Sequence, residues 1–433
     1  MTIESNGPDK VAIIGAGYVG LTTAACFASL GHDVLCADID ADRVATLQGG
    51  DLPIFEPGLG DLVREGMASG RLEFVVGAAN AVVGRPFIYL CVPTPQGDDG
   101  SADLRYLQAA AKEIAAAVEP GAVVVNKSTV PVGSALLVDR FLQRSDVSVV
   151  SNPEFLREGC AVSDFLHPDR VVIGSDDRDA AARVATLYRN IDAPIMITDP
   201  ASAETIKYVS NAYLATKISF VNAVAAVCEA VGANVSDVVT GMGLDNRIGS
   251  AFLQPGPGFG GSCFPKDVRA LIHISETAGY NFSLLRGVLA VNDEQFDRVV
   301  EKVVRLAGPL LTGATIAVWG LSFKAGTDDL RASPSLEVIR RLVARGATVR
   351  AHDPAIDVSR QLADGVEVVA DPYTACDGAD VLVVLTEWDE FRAVDLEKVR
   401  DLLRQPLVVD ARNLLNRAEL ERLGFSVKGI GHR

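Results

Sequence analysis

The sequence predicts an α/β protein: two doubly wound parallel-sheet domains joined by a long central helix and a helical dimerisation domain. Three observations carry this. Strand-like and helix-like runs alternate up to Asp199, one long apolar helical segment follows, and a second alternating unit begins after Leu306. Alternation of this kind implies parallel strands covered by crossover helices. The expected domains are 1–198, 199–306 and 307–433.

Hydrophobic residues make up 48% of the 433 positions and charged residues 22%, a globular composition that excludes disorder as the main state. The 56 acidic side chains outnumber the 40 basic ones, giving a formal charge of -16. Such a field repels phosphate backbones, so nucleic acid is not an expected partner. An anionic ligand must instead be held by a local cluster of cations and helix N-termini. The 7 cysteines are scattered, no C-x-x-C pair occurs, and the 5 histidines lie far apart. Neither a disulfide framework nor a metal site is expected. The polar N-terminus carries no signal core, and Lys217, Asn222 and Glu229 interrupt the apolar stretch Ala215–Val231. A cytoplasmic protein without a membrane span is the expectation.

In chain order, Val11–Ile14 reads as the first strand. Gly20–Leu30 has helical spacing, and Gly31 closes it. Val34–Ala37 is the next strand and ends at Asp38. Further strands are expected at Phe87–Val92, Ala122–Asn126, Val147–Ser151 and Val171–Gly174. The segment from Glu204 to Gly232 reads as one helix with apolar residues on more than one face. It must therefore be buried on several sides, as a bridge between domains and part of a subunit interface, or as a core helix of one subunit. A Gly/Pro-rich loop, Gln254–Asp267, then interrupts the helices. The second unit has a strand at Thr315–Trp319, a turn at Gly320, a helix at Ser335–Arg345 and a strand at Thr348–Ala351. Gly31-His-Asp-Val-Leu-Cys-Ala-Asp38 and Gly346-Ala-Thr-Val-Arg-Ala-His-Asp353 form a weak internal repeat. Two Rossmann-like domains flanking a helical middle is the simplest architecture.

Gly15-Ala-Gly17-Tyr18-Val19-Gly20 follows the first strand and opens the first helix, the context in which G-x-G-x-x-G binds a dinucleotide. Gly15 permits the tight turn, Gly17 the approach of a pyrophosphate, and Gly20 close packing of helix on strand. The diphosphate then rests on the helix N-terminus. Asp38 lies 18 residues beyond Gly20 (38 − 20), where an acid meets the ribose hydroxyls. Its charge opposes a 2′-phosphate, which favours NAD, although Arg43 nearby leaves NADP open. Cys263 sits among glycines and is followed by Lys266 and Asp267, a setting that can activate a thiolate toward an aldehyde. A buried loop cysteine is the plain alternative, and the other six cysteines read as core residues. Glu204, Lys207 and Asn211 share one helical face, where Lys and Asn can stabilise an oxyanion or shuttle a proton. A solvated charged face is the competing reading. Lys127-Ser-Thr129 and Asn152-Pro-Glu154-Phe-Leu-Arg-Glu158 both follow strands, at the edge where α/β sheets bind ligands; simple turn chemistry and helix N-terminal acids are the competing readings.

Together with Gly258-Phe-Gly-Gly-Ser-Cys263-Phe-Pro-Lys-Asp267 and Gly320-Leu-Ser-Phe-Lys324-Ala-Gly-Thr-Asp-Asp-Leu-Arg331, these motifs resemble the nucleotide-sugar 6-dehydrogenase family, from about Val11 to Leu415. Phe165–Arg170, Ile248–Leu253 and Thr386–Arg392 are more similar to members that act on UDP-glucose than to those that act on GDP-mannose. The resemblance implies two successive oxidations of the sugar C6 by NAD, with the aldehyde held on Cys263 and a thioester hydrolysed at the end. It implies that Lys207 and Asn211 stabilise the C6 oxygen, that Asp267 assists proton transfer, and that Glu154 and Thr129 take part in hydrolysis. Thr94, Thr129, Glu158, Lys266 and Arg331 resemble cofactor contacts, beside the Gly15–Gly20 turn, Asp38 and Arg43. Glu154, Phe155, Leu156, Arg157, Lys207, Asn211, Phe252, Leu253, Gln254, Gly258, Gly260, Phe323, Lys324 and Arg412 resemble substrate contacts. Arg247 resembles an arginine that enters the site of a partner subunit in a homodimer or larger assembly. Lys324, Arg412 and Arg247 would supply the local positive charge that an acidic protein needs to hold UDP. The rival expectations are another nucleotide sugar, a two-electron hydroxyacid-type dehydrogenase, and a non-catalytic sugar-nucleotide sensor.

Overall fold

The computed structural model describes residues 8–97 and 102–432. The chain divides into two compact units. One contains residues up to 210 and 269–278, and the other contains 211–268 and 279–433.

Strands of the first unit are β1 (Lys10–Ile14), β2 (Asp33–Asp38), β3 (Leu72–Val76), β4 (Phe87–Leu90), β5 (Val123–Asn126), β6 (Ser148–Ser151), β7 (Val171–Gly174) and β8 (Ile195–Thr198). Its helices are α1 (Tyr18–Ser29), α2 (Ala41–Gln48), α3 (Leu59–Ala68), α4 (Ala78–Val82), α5 (Arg105–Ile114), α6 (Ser134–Leu142), α7 (Ala161–Leu166) and α8 (Arg178–Thr186). Among the described residues the strands form one sheet, ordered β3-β2-β1-β4-β5-β6-β7-β8. Its first six positions follow the doubly wound order, which reverses direction between β1 and β4. The pairs are parallel except at β6–β7, where Ser151 meets Gly174 antiparallel. Both faces are buried. Val11 and Ile13 point into one core, and Ala12 and Ile14 into the other. This explains why the strand reads as a continuous apolar run.

Chain order continues with α9 (Pro200–Val231), α10 (Val235–Gly243), α11 (Phe264–Thr277) and α12 (Ser283–Ala307). The second unit then builds β9 (Thr315–Trp319), α13 (Pro334–Val343), β10 (Thr348–His352), β11 (Val366–Val368), α14 (Pro372–Cys376), β12 (Val381–Val384), α15 (Leu396–Leu402), β13 (Leu407–Asp410), α16 (Arg417–Arg422) and β14 (Ser426–Gly429). These strands pair in the order β11-β10-β9-β12-β13-β14, the same winding again. Ile316 and Val318 face one core, and Ala317 and Trp319 the other.

Helix α9 starts at Pro200, four residues before the expected Glu204. Asp199 accounts for the shift. Its carboxylate accepts from the Ser202 N–H at 2.8 Å and the Ser202 hydroxyl at 2.6 Å, capping a helix whose first residue is proline. By length and composition α9 is apolar enough to cross a membrane, which the sequence reading, resting on Lys217, Asn222 and Glu229, did not allow. Its Glu204, Lys207, Asn211, Ser219 and Asn222 are nevertheless buried against protein. Tyr213, Phe220, Val227 and Val231 are instead 54–71% exposed.

Candidate active site

In the first unit the glycine turn sits at the sheet's switch point. Gly15 has φ +100°, and a Cβ there would lie 2.6 Å from the Cys91 carbonyl at the end of β4. A Cβ on Gly20 would collide with the Gly15 carbonyl, whereas one on Gly17 would meet only open space. Gly17 caps α1 without any side-chain hydrogen bond, so the first N–H groups of α1 keep their capacity for an anion. These features fit a dinucleotide pyrophosphate. Asp38 is 8% exposed. Its Oδ2 accepts from the Ala16 N–H at 2.8 Å and lies 3.4 Å from Arg43 Nη1, while Oδ1 accepts from the Asp40 N–H. The carboxylate thus holds the glycine turn, and Arg43 rests on the carboxylate. Val19, beside Tyr18 in the first turn of α1, packs on the core. Tyr18 donates its hydroxyl to Glu56. Burial and this bond raise the phenol far above its ordinary range. Glu56 also accepts from the Gly159 and Ala161 N–H groups at 2.6 and 2.7 Å, tying the turn that contains half-buried Glu158 to α1. Thr94 donates to the Thr129 carbonyl at 2.7 Å.

The Glu204–Lys207 portion of α9 is not a solvated face. Both residues are 3% exposed. Lys207 Nζ lies 2.9 Å from Glu154 Oε1, and Glu154 Oε2 accepts from the Leu156 N–H at 2.6 Å. Burial would raise the Glu154 carboxyl, but the Lys207 ammonium and these bonds outweigh it and hold the group below the usual range. The Phe155 ring carries the Arg170 guanidinium 3.7 Å from its centroid and Lys207 Nζ at 5.5 Å. Arg157 turns outward in a bidentate pair with Asp164. Lys127, also buried, reaches Asn152 Oδ1 at 3.2 Å and the Tyr188 hydroxyl at 3.4 Å. A cavity of about 10 Å³ is lined by Asn126, Ser128, Thr129, Val130, Ser151, Pro153, Glu204 and Lys207.

The second unit contains Cys263 at the mouth of α11, where its carbonyl accepts from the Asp267 N–H at 2.8 Å and its thiol lies 3.5 Å from the Ser262 hydroxyl. A helix N-terminus favours the thiolate. Asp267 is fully buried and accepts from Asn211 Nδ2 at 2.5 Å and Lys266 Nζ at 2.7 Å. The preceding loop is clamped by amide side chains. Asn222 accepts from the Gly256 N–H at 2.9 Å, Gln295 donates to the Gly256 carbonyl at 2.7 Å, and Asn292 bonds both the N–H and the carbonyl of Phe259. Phe252 has φ +62° and is half-buried; Leu253 is buried and Gln254 exposed. Gly258 has φ +131°, and a Cβ on Gly260 would strike the Ala332 carbonyl. Arg412 packs under this loop, 3.2 Å from where a Gly256 Cβ would stand, and donates to the Leu385 and Phe323 carbonyls at 2.8 and 3.3 Å. Lys324 Nζ stands 5.8 Å from the Phe323 ring centroid. Arg331 and Arg247 are exposed and pair bidentately with Asp329 and Asp245.

The structure therefore gathers Glu154, Phe155 and Lys207 in the first unit. Asn211, Cys263, Lys266 and Asp267 gather in the second, as do Arg412, Phe323 and the Gly256–Gly260 loop. The reading of six core cysteines needs one correction: Cys160 is exposed, because it stands in the turn before α7 rather than inside an element. Sequence reasoning missed Glu56, which lies in an aperiodic Pro/Gly stretch. It also missed Asn292 and Gln295, whose signal was two amides on the apolar face of α12 that contains Val288, Phe296 and Val299. Among the described residues no group of His, Cys, Asp and Glu is placed to hold a metal ion.

Residues 9–192, 201–294 and 317–417 match, in turn, the NAD binding, central and UDP binding domains of the UDP-glucose/GDP-mannose dehydrogenase family. The chain is 46% identical to UDP-glucose 6-dehydrogenase of Rhizobium meliloti, over 98% of this chain and 99% of that one. It is 45% identical to UDP-glucose 6-dehydrogenase TuaD of Bacillus subtilis, over 98% and 93%. Among solved structures, a UDP-glucose dehydrogenase from Pyrobaculum islandicum superposes with a TM-score of 0.91 at 37% identity, covering all of both chains. With a glycine turn that fits NAD and family matches along nearly its whole length, the chain belongs to the UDP-glucose/GDP-mannose dehydrogenase family as an NAD-dependent oxidoreductase.

Proposed function

We propose that this enzyme oxidises the C6 alcohol of UDP-glucose to the carboxylate of UDP-glucuronate, consuming two NAD and one water. The observation that carries this is near full-length identity of about 45% to relatives named for that activity. When bound at the Gly15–Gly20 turn, NAD supplies the hydride acceptor for each oxidation. Asp38 receives the ribose hydroxyls, with Tyr18, Val19, Arg43, Thr94, Thr129, Glu158, Lys266 and Arg331 as further contacts. The sugar nucleotide is held by Phe155–Arg157, by Phe252, Leu253, Gln254, Gly258 and Gly260, and by Phe323, Lys324 and Arg412.

Lys207, once it has passed a proton to Glu154, takes the proton of the C6 hydroxyl, and Asn211 donates to the oxygen left behind. The Cys263 thiolate then adds to the aldehyde carbon and forms a hemithioacetal. Loss of the second hydride leaves a thioester. A water, oriented by Glu154 and Thr129 and deprotonated with help from Asp267, displaces the thiolate and leaves the acid. The ion pair Lys207–Glu154 and the bond Asn211–Asp267 support these assignments, because each fixes a polar group that would be costly to bury alone.

The reading includes the division at 1–198, 199–306 and 307–433 and a cytoplasmic location. It also includes a homodimer packed along α9, with Arg247 completing the partner's site. The exposed Tyr213, Phe220 and Val227, spaced seven apart, support that interface. The test is incubation with UDP-glucose and NAD, counting NADH against UDP-glucose consumed, beside GDP-mannose and UDP-N-acetylamino sugars. Two NADH per UDP-glucose is expected. One NADH per sugar would leave a simple alcohol dehydrogenase, and faster turnover of another sugar would reassign the substrate.

A further inference from the structure

Glu204 has no task in the scheme above, although its carboxylate is buried and accepts three hydrogen bonds. It lies on α9 one turn ahead of Lys207. Its Oε2 accepts from the Gly133 N–H at 2.6 Å. Its Oε1 accepts from the Ala135 N–H at 3.0 Å and the Ser151 hydroxyl at 2.8 Å. Gly133 and Ala135 open α6, directly after the Lys127–Pro131 turn that carries Thr129. Ser151 closes β6, three residues before Glu154. One carboxylate thus joins three chain segments: two bear Thr129 and Glu154, assigned to the release of product, and the third bears Lys207, the ion-pair partner of Glu154. The segments meet around a common cavity of about 10 Å³, whose walls include Thr129, Ser151, Glu204 and Lys207. Gly133 caps α6 at φ +94° with no side chain of its own, so the cap comes from a different helix.

We propose that Glu204 is a positioning residue that sets Thr129, Glu154 and Lys207 in register for hydrolysis of the thioester. The proposal rests on the reaction given above. A helix cap alone would need only the two α6 N–H bonds. The third bond, to Ser151, adds nothing to capping and ties the helix to the strand bearing Glu154. The hydride transfers depend on Lys207 and the bound cofactor. Hydrolysis depends on Thr129 and Glu154, which lie on the two segments that Glu204 ties to α9, and it is the step that a small misalignment between them should slow most.

Glu204→Gln keeps the side-chain shape but offers one acceptor oxygen, and turns an N–H2 donor toward N–H and O–H donors. With UDP-glucose and NAD, the rapid release of two NADH in the first turnover should persist. Steady-state turnover should fall by on the order of 10–100-fold, and KM should fall with it so that kcat/KM is nearly unchanged, because the adduct accumulates. A sugar adduct should accumulate on the peptide containing Cys263, read by mass after acid quench. Ser151→Ala spares the carboxylate and both cap bonds. It should show the same partition to a smaller degree at an unchanged melting temperature, and it decides the matter alone if the first variant does not fold. Loss of burst and turnover in proportion, or full turnover without adduct, overturns the proposal and leaves Glu204 as a cap. A wild-type enzyme yielding one NADH per sugar in the same experiment overturns the underlying reaction instead.

Discussion

Cys263 and Cys160 are the two cysteines that solvent reaches, since Cys26, Cys36, Cys91, Cys228 and Cys376 are buried. Burial pushes the Cys91 thiol up to about 12, which keeps it inert. Alkylation should therefore mark peptides at both 160 and 263, with UDP-glucose protecting 263 alone. Cys263→Ser should lose UDP-glucuronate formation and retain a sugar ester on that peptide, because an oxygen ester is far less reactive than a thioester. Wild-type turnover in Cys263→Ala would sink the covalent route. Glu154 gives a second expectation. Its carboxyl is held below the ordinary range in the folded protein, so its contribution is present above the unfolded value of about 4.3 and is lost as pH falls through the lower folded value. Glu154→Gln strands Lys207 in the interior, which should cost about 3–5 kcal/mol at neutral pH. It should also flatten the acid limb seen in melts from about pH 5 down to pH 3; a limb of unchanged steepness would separate Glu154 from acid unfolding. These residues were legible from strand-end motifs and a shared helical face. Their burial was not, because i, i+3 and i+7 spacing is the same for a wet face and a buried one.

Helix α9 shows what periodicity does and does not convey. Its length and its unusual apolarity were readable, but its start was not, since Asp199 and Pro200 act through capping rather than through a repeat. Strands buried on both faces, such as β1, β5 and β9, announced themselves as apolar runs. Edge strand β8 did not: Ile195, Met196 and Ile197 are 38–49% exposed and pair on one side only. On α9, the exposed Tyr213, Phe220, Val227 and Val231 form the stripe on which the proposed dimer would pack. Phe220→Asp should place charge in that contact and yield monomers by sedimentation, with activity falling as Arg247 leaves its partner's site. A dimer of unchanged stability would move the interface elsewhere.

Both sheets wind in the same order, and the short repeat in the sequence marks the same turn twice. Asp38 receives the Ala16 N–H at 2.8 Å, and Asp353 receives the Leu321 N–H at 2.7 Å. The acids differ in what remains of them. Asp353 Oδ2 also accepts from the Ser322 N–H and hydroxyl and from Trp388 Nε1. A Cβ on Gly320 would strike Thr386 just as one on Gly15 would strike the Cys91 carbonyl, but Ser322 stands where the first turn has Gly17, at which a Cβ would meet open space. Asp38→Ala should weaken NAD by about 1–3 kcal/mol in a binding titration. Asp353→Ala should leave NAD binding alone and lower stability by about 3 kcal/mol, because several buried donors lose their acceptor. Equal losses of NAD affinity in the two variants would contradict this division of labour.

The border between the two compact units falls inside α9, between Ser210 and Asn211. An isolated helix shorter than about 12–15 residues is marginal in water, so the short part of α9 before Asn211 is hard to keep wound once the longer part has come apart. Heat absorbed by the protein in a scanning calorimeter should consequently appear as one peak, with calorimetric and van't Hoff enthalpies in agreement. Two resolved peaks would show that the shared helix can break between Ser210 and Asn211 without dragging either part down.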